Sequence, residues 1–255
     1  MTRTTIIAAL PGELKPFLDA NAKEGWVHER RGNVNLWRLT WPLGQGEWVA
    51  ACAGAGQQAA TRAFAAVEED GPIDRVYSIG WVGALSNSYV SGKAYRVSTV
   101  IDVATGERFL TSCNGTGEAV PFQNEIWLVT SPKVADAAEK QRLSAAYNAG
   151  LVDMEAAAIA RLAAMREIPF DCIKGVSDGL TDKLPDFNRF ITADGRFQLA
   201  RFVLFSILRP WHWPALIRMG ENSKKASQAI RDLLLENLYK PGAASNKNGD
   251  SNLKR

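Results

Sequence analysis

Three carboxylates stand where a carboxylate can do chemistry. Glu13 follows the run Ala8-Ala9-Leu10-Pro11-Gly12. Glu155 lies in Val152-Asp153-Met154-Glu155-Ala156-Ala157-Ala158, and Asp178 in Lys174-Gly175-Val176-Ser177-Asp178-Gly179. A carboxyl group shielded from water can hold its proton at neutral pH and serve as an acid. An ionised one accepts hydrogen bonds from hydroxyl groups and can orient or deprotonate a water. Each residue alone also has an ordinary explanation. Asp178 suits a turn, and Glu155 and Glu13 suit the start of a helix.

The elements that position them follow from hydropathy and turn residues. Strands are expected over residues 4–10, 35–41, 47–53 and 75–79, the last closed by Gly80. Residues 94–104 are β-prone, 126–130 form a short apolar run, and 170–176 read as a strand with Ser177-Asp178-Gly179 turning away from its end. Helices are expected over 13–20, 57–69, 134–147 and 153–166, with Asp153 as the N-cap of the last. Gly54 and Gly56 permit a tight strand-to-helix turn, and the same glycines would let a ligand approach the backbone. Strands alternating with helices indicate an α/β sandwich. In such sheets ligands gather beyond the carboxyl ends of strands, where Glu13 and Asp178 fall.

Residues 1–240 read as one domain, with 196–240 as a C-terminal helical extension and 241–255 as a disordered tail rich in Gly, Ser, Asn and Lys. The extension holds helices over 196–208 and 223–238, separated by Pro210 and Trp211-His212-Trp213-Pro214. Phe202, Phe205, Trp211, Trp213, Leu216 and Ile217 alternate there with Arg201, Arg209 and Arg218. Two readings stand: a helix packed on the core, or an interfacial surface for a lipid substrate with peripheral membrane contact.

The 255 residues are 46% apolar and 22% charged, the balance of an ordinary globular protein. The net charge of +3 resides in residues 240–255, so the body is near neutral and no nucleic-acid partner is expected. Cys52, Cys113 and Cys172 are widely spaced and form no CxxC pair, which argues against a disulfide framework or a zinc site. Cys52 and Cys172 are expected as buried thiols in a reducing compartment. His28 and His212 have no nearby Ser or Cys nucleophile motif, which argues against a triad enzyme. No signal peptide and no transmembrane run is expected, so a cytoplasmic location follows.

Residues 4–180 resemble the nucleoside phosphorylase superfamily, particularly methylthioadenosine/S-adenosylhomocysteine nucleosidases. The resemblance rests chiefly on Met154-Glu155-Ala156 followed by Ser177-Asp178, and also on Gly54-Ala55-Gly56 and Ser78-Ile79-Gly80-Trp81-Val82-Gly83-Ala84-Leu85. A closer layer, Ala137-Ala138-Glu139-Lys140 and Leu208-Arg209-Pro210 to Pro214-Ala215-Leu216, resembles the hopanoid-associated branch. Members of that branch are thought to remove adenine from adenosylhopane. The resemblance implies a three-layer α/β/α sandwich with a mixed central sheet and a homo-oligomer. It implies cleavage of the N-glycosidic bond of a purine nucleoside without metal or organic cofactor. Asp178 would protonate the base, Glu13 activate water and Glu155 hold the ribose. Met154, Gly54, Gly56, Gly80, Trp81 and Ser177 would complete the substrate site, and residues 130–134 would help stack the base.

Two departures bear on the nucleophile. The first loop, Leu10-Pro11-Gly12-Glu13, carries a carboxylate and no arginine, which repels phosphate. Trp81 stands where the family has Ser or Thr. Both favour water over phosphate as co-substrate. A phosphorylase stays open if Arg62, Arg108 or a neighbouring subunit supplies charge. A non-catalytic nucleoside-binding homologue stays open if Trp81 fills the nucleophile site.

Overall fold

The computed structural model describes residues 2–41, 46–112, 125–182, 185–192 and 197–239. The strands are β1 (Arg3–Ala8), β2 (Val27–Arg31), β3 (Val34–Thr40), β4 (Glu47–Cys52), β5 (Arg75–Ala84), β6 (Ala94–Arg96), β7 (Thr99–Asp102), β8 (Arg108–Leu110), β9 (Trp127–Thr130), β10 (Leu151–Asp153) and β11 (Phe170–Asp178). The helices are α1 (Pro11–Ala20), α2 (Gln57–Glu68), α3 (Ala137–Tyr147), α4 (Ala156–Met165), α5 (Leu199–Ile207) and α6 (Trp213–Tyr239).

Strand alternation builds the layers. On β1, Ile6 and Ala8 join Leu14 and Phe17 of α1 and Ile230 and Leu234 of α6. Ile7, between them, joins Phe64 and Val67 of α2 and the alanines of α4. Side chains of a strand point alternately to its two faces, so each face takes its own helices. Further along the sheet, Val129 and Ile101 turn to Leu143 of α3, while Leu128 and Val100 face the α2–α4 side. The result is the expected three-layer α/β/α sandwich. Its sheet runs β2-β3-β4-β1-β5-β10-β9-β7-β8, with β11 paired to β5 and β6. The sheet is mixed: β1, β4, β5 and β11 are parallel, while β10 runs against β5.

The structure departs from the sequence expectations where local signals conflict. β5 does not stop at Gly80 but continues to Ala84. Residues 94–104 split into two strands, β6 on β11 and β7 on β9. Residues 151–153 form β10, so the helix expected from Asp153 begins at Ala156. Asp178 is the last residue of β11 rather than part of a turn beyond it. α6 begins at Trp213, ten residues before its expected start, because a proline in the first turn lacks only an N–H with no helical partner. The second half of α6 belongs to the core: Ala226, Ile230 and Leu234 are fully buried. Cys52 and Cys172 are buried free thiols. The expected tail, 241–255, and Cys113 lie outside the described residues.

Candidate active site

β5 pairs with β11 along one edge, from Val76 to Gly83. Its other edge is shared. β1 occupies Arg75–Ser78, and β10 occupies Gly83–Ala84 in the opposite direction. The chain leaving β1 and the chain leaving β10 therefore approach each other head-on along β5, with Gly80, Trp81 and Val82 between them. Glu13 follows the first and Glu155 the second. The sheet forks here, and the fork brings together carboxylates that are far apart in sequence.

Glu13 lies in the first turn of α1 and is buried. Its Oε2 accepts the backbone N–H groups of Ala9 (2.9 Å) and Leu10 (2.8 Å), and its Oε1 accepts that of Trp81 (2.8 Å). Gly80 makes room for it. A Cβ at residue 80 would stand 3.0 Å from Oε1, and the φ of +150° already disfavours a side chain. Burial pushes the Glu13 carboxyl above its ordinary range; the three N–H donors and the charge of Lys174 offset this only in part.

Glu155 occupies the N-cap position of α4. Its Oε1 accepts from Gly56 N–H at 2.6 Å and its Oε2 from Met154 N–H at 3.1 Å. Burial and the neighbouring Asp153 push its carboxyl up to about 7, against the pull of Lys174 and the Gly56 N–H. Behind it, Asp153 accepts from Thr130 Oγ1 (2.7 Å) and Ala156 N–H (3.0 Å) and pairs with Lys174 Nζ (2.9 Å). The expected capping bond of Asp153 is thus made from a strand end. Lys174 also donates to Ser78 Oγ at 3.1 Å. A buried cation behind Asp153 and Glu155 limits the charge that the site must carry.

Asp178 reaches the site across β5. The register of β11 on β5 slips between Val176 and Asp178, so Asp178 rather than Ser177 stands opposite Gly83. Such a bulge flips the face of the residue after it. Val176 points to the α2–α4 core, and Asp178 turns to the face covered by α1, α3 and α6. Its Oδ1 lies 2.6 Å from Ser177 Oγ, and its Oδ2 is paired with Lys140 of α3.

Glu13, Trp81, Met154, Glu155, Ser177 and Asp178 all line one cavity of about 970 Å³. Gly54, Gly56 and Gly80 lie behind its wall and act through backbone. Gly54 (φ +107°) donates its N–H to Ala9 O at 3.0 Å, Gly56 holds Glu155, and Gly80 admits Glu13. The Trp81 indole lies along Gly12 and spends its Nε1–H on Ser227 Oγ of α6 at 2.7 Å. Of residues 130–134, Lys133 and Val134 reach the cavity, and Asn188 pins Val134 through both its N–H and its carbonyl. Thr130 is spent on Asp153. Neither Arg62 nor Arg108 lines the cavity. Arg108 lies over the Trp127 ring. Away from the carboxylates the wall becomes apolar, with Phe187, Phe197, Phe202, Leu216 and Met219.

Residues 126–206 match the family profile described as the Phosphorylase superfamily. The fold is the nucleosidase fold. One similar structure is a mutant 5′-methylthioadenosine/S-adenosylhomocysteine nucleosidase of Helicobacter pylori with 5′-methylthioadenosine in its active site. It has a TM-score of 0.69 at 14% identity, over 94% of this chain and 99% of that one. A mutant futalosine hydrolase of Helicobacter pylori gives 0.70 at 12% identity, over 94% and 99%. The Neisseria meningitidis 5′-methylthioadenosine/S-adenosylhomocysteine nucleosidase, in complex with methylthio-immucillin-A, gives 0.66 at 19% identity, over 93% and 99%. No curated protein matches by sequence. The profile match spans Glu155 and Asp178 but not Glu13.

Sequence reasoning missed Lys174 and Lys140. A lysine inside the otherwise apolar run Cys172-Ile173-Lys174-Gly175-Val176 is a usable signal, because a buried ammonium demands a partner. Lys140 has no such signal, since only the packing of α3 against β5 carries it to Asp178. Among the described residues, no group of three or more His, Cys, Asp or Glu side chains is placed to hold a metal ion.

Proposed function

We propose that this protein hydrolyses the N-glycosidic bond of a purine nucleoside, releasing adenine, with a large apolar substituent at the 5′ side such as that of adenosylhopane. One observation carries the reading: Glu13 and Glu155 meet head-on at the fork of β5, and Asp178 reaches the same cavity across that strand. Breaking a ribosyl C–N bond builds positive charge on the sugar and negative charge on the base. Asp178 protonates the purine as it leaves. Glu155 accepts hydrogen bonds from the ribose hydroxyls and favours the cationic sugar. Glu13, held at both oxygens by backbone N–H groups, orients water and takes its proton. The logic parallels glycoside hydrolysis by two carboxyl groups.

Water is preferred to phosphate because Glu13 places a carboxylate at the first loop and neither Arg62 nor Arg108 lines the cavity, whose cations are instead Lys15, Lys133, Lys140, Lys224 and Arg231. The apolar substituent is supported by the aromatic and aliphatic wall of residues 187–219, which extends the cavity well beyond a nucleoside. Other apolar side chains of α5 and α6 are exposed, which suits contact with a membrane surface.

The test is release of free adenine from a panel of adenine nucleosides, adenosylhopane included, with and without phosphate. We expect release without phosphate, with Asp178→Asn and Glu13→Gln each slowing it about 10²- to 10⁴-fold. Release only with phosphate makes the protein a phosphorylase and removes the role of Glu13. Binding without release from any nucleoside overturns the enzymatic reading.

A further inference from the structure

Lys140 is buried beside Asp178. Its Nζ donates to Asp178 Oδ2 and, at 2.6 Å, to the carbonyl of Gly179. Its stem crosses β5 at Gly83. A Cβ at that position would stand 2.9 Å from Lys140 Cε and 3.3 Å from Asp178 Oδ2, so a glycine keeps the passage open. The other oxygen of Asp178 meets the Ser177 hydroxyl, which also lies 3.2 Å from the Val82 carbonyl. One hydroxyl proton can serve only one of these acceptors. With Asp178 ionised, Ser177 donates to Oδ1. With Asp178 protonated there, Ser177 accepts and turns its own proton to Val82. The Ser177 hydroxyl can therefore meet Asp178 Oδ1 either as donor or as acceptor, and the ammonium of Lys140 is a proton source in direct contact with the carboxyl group.

We infer that Lys140 is a positioning residue for the acid, supplying the proton that Asp178 passes to the leaving base; this rests on the nucleosidase reading above. The C1′–N bond breaks and both its electrons pass to the purine. A ring nitrogen of the purine takes a proton from Asp178, and Asp178 takes one from Lys140, which becomes an amine. Water forms the new C1′–O bond and gives its proton to Glu13. After the base departs, Glu13 releases that proton to solvent and Lys140 takes one back. An ammonium confined beside the carboxyl group supplies this proton without waiting for bulk water.

The experiment compares wild type with Lys140→Met and Lys140→Arg on whichever adenine nucleoside wild type cleaves best, across pH 5 to 9, with folded fraction read by circular dichroism. Without Lys140, Asp178 must take its proton from bulk water, whose hydronium concentration falls about tenfold per pH unit. The wild-type to Lys140→Met ratio of kcat should therefore grow from a few-fold at pH 5 to about 10²-fold or more at pH 8. The acid limbs of Glu13 and Glu155 cancel in that ratio. Lys140→Arg keeps the charge but cannot give up a proton, and should show the same trend. A ratio constant with pH, or full rate in Lys140→Arg, overturns the proposal while leaving the nucleosidase reading intact. A wild type that releases no base from any nucleoside overturns both.

Discussion

Glu155 carries the clearest pH signature among the carboxylates of the cavity. Burial and Asp153 raise its carboxyl to about 7, above its ordinary value of 4.5. Holding ribose hydroxyls requires the ionised form, so kcat/KM should rise with pH through about 7. Glu155→Gln should abolish that limb along with most of the rate, as a pH–rate series on both proteins will reveal. The stability consequence has the opposite sense. A carboxyl whose folded-state pKa is raised stabilises the fold below its unfolded pKa, and that contribution is lost as pH rises through about 7. Relative to Glu155→Gln, the melting temperature of wild type should fall between pH 4.5 and 7. A parallel pair of melting curves across that window would remove Glu155 as the titrating group. Gly80 gives a second prediction at this scale. Gly80→Ala forces a side chain into a positive-φ position 3.0 Å from Glu13 Oε1. It should destabilise the fold by about 1–3 kcal/mol and, by displacing Glu13, slow base release more than the loss of folded protein explains. A rate normalised to folded fraction that stays at the wild-type level would show that Glu13 tolerates the shift.

At the scale of elements, the site depends on interruptions of regular structure, and these are what sequence patterns hide. The alternation of Ile6, Ile7 and Ala8 made β1 readable, and the Ala-rich faces made α2 and α4 readable. Glu13, Glu155 and Asp178 could be named because their types and their neighbours carry chemistry. Gly80 resembled a strand end because glycine usually breaks strands, whereas here it continues β5 to admit a carboxylate. β10 is three residues long, and its last residue caps α4, so the pattern reads as helix throughout. The bulge at Ser177 and the approach of Lys140 exist only in three dimensions. α6 shows how an element supports the site from outside. It packs on β11 at Gly175, where a Cβ would stand 2.9 Å from both Ala226 Cβ and Ile230 Cδ1 and 3.0 Å from the Ala226 carbonyl. Backbone cannot yield as a side-chain tip can, so Gly175→Ala should lift α6 off the sheet at a cost of about 1–3 kcal/mol. The lift should also break the Trp81–Ser227 bond. Denaturant unfolding checks the first effect. A Ser227→Ala variant, which removes the bond and leaves the packing, separates the second.

At the scale of the whole molecule, the C-terminal helices leave several large apolar side chains exposed. Leu204, Ile207 and Leu208 of the α5 region, Trp211, and Trp213 and Ile217 of α6 are all exposed, Trp211 at 68% and Leu208 at 65%. Exposed Arg201, Arg218, Lys224 and Lys225 flank them, and Arg209 lies 4.0 Å from the centre of the Phe205 ring. Among the described residues no helix is long and apolar enough to cross a membrane. Tryptophan and arginine around an apolar patch suit the interfacial zone of a bilayer, and the basic rim favours anionic lipid by about 1 kcal/mol per charge near the surface. Phe202, Leu216 and Met219 from these same helices also line the cavity. The full chain should therefore sediment with vesicles containing anionic phospholipid, bind purely zwitterionic vesicles several-fold less, and lose that preference at high salt. Leu204→Ser combined with Trp211→Ser should weaken sedimentation at least tenfold, since each removes a side chain worth about 1.5–3 kcal/mol when buried. Neither position lines the cavity, so turnover of a short, soluble adenine nucleoside should persist. If neither vesicle type binds, and the same pair of substitutions instead abolishes a dimer in sedimentation equilibrium, the face belongs to a second copy of the chain. The apolar wall of the cavity would then have to be reached from within that assembly rather than from a membrane.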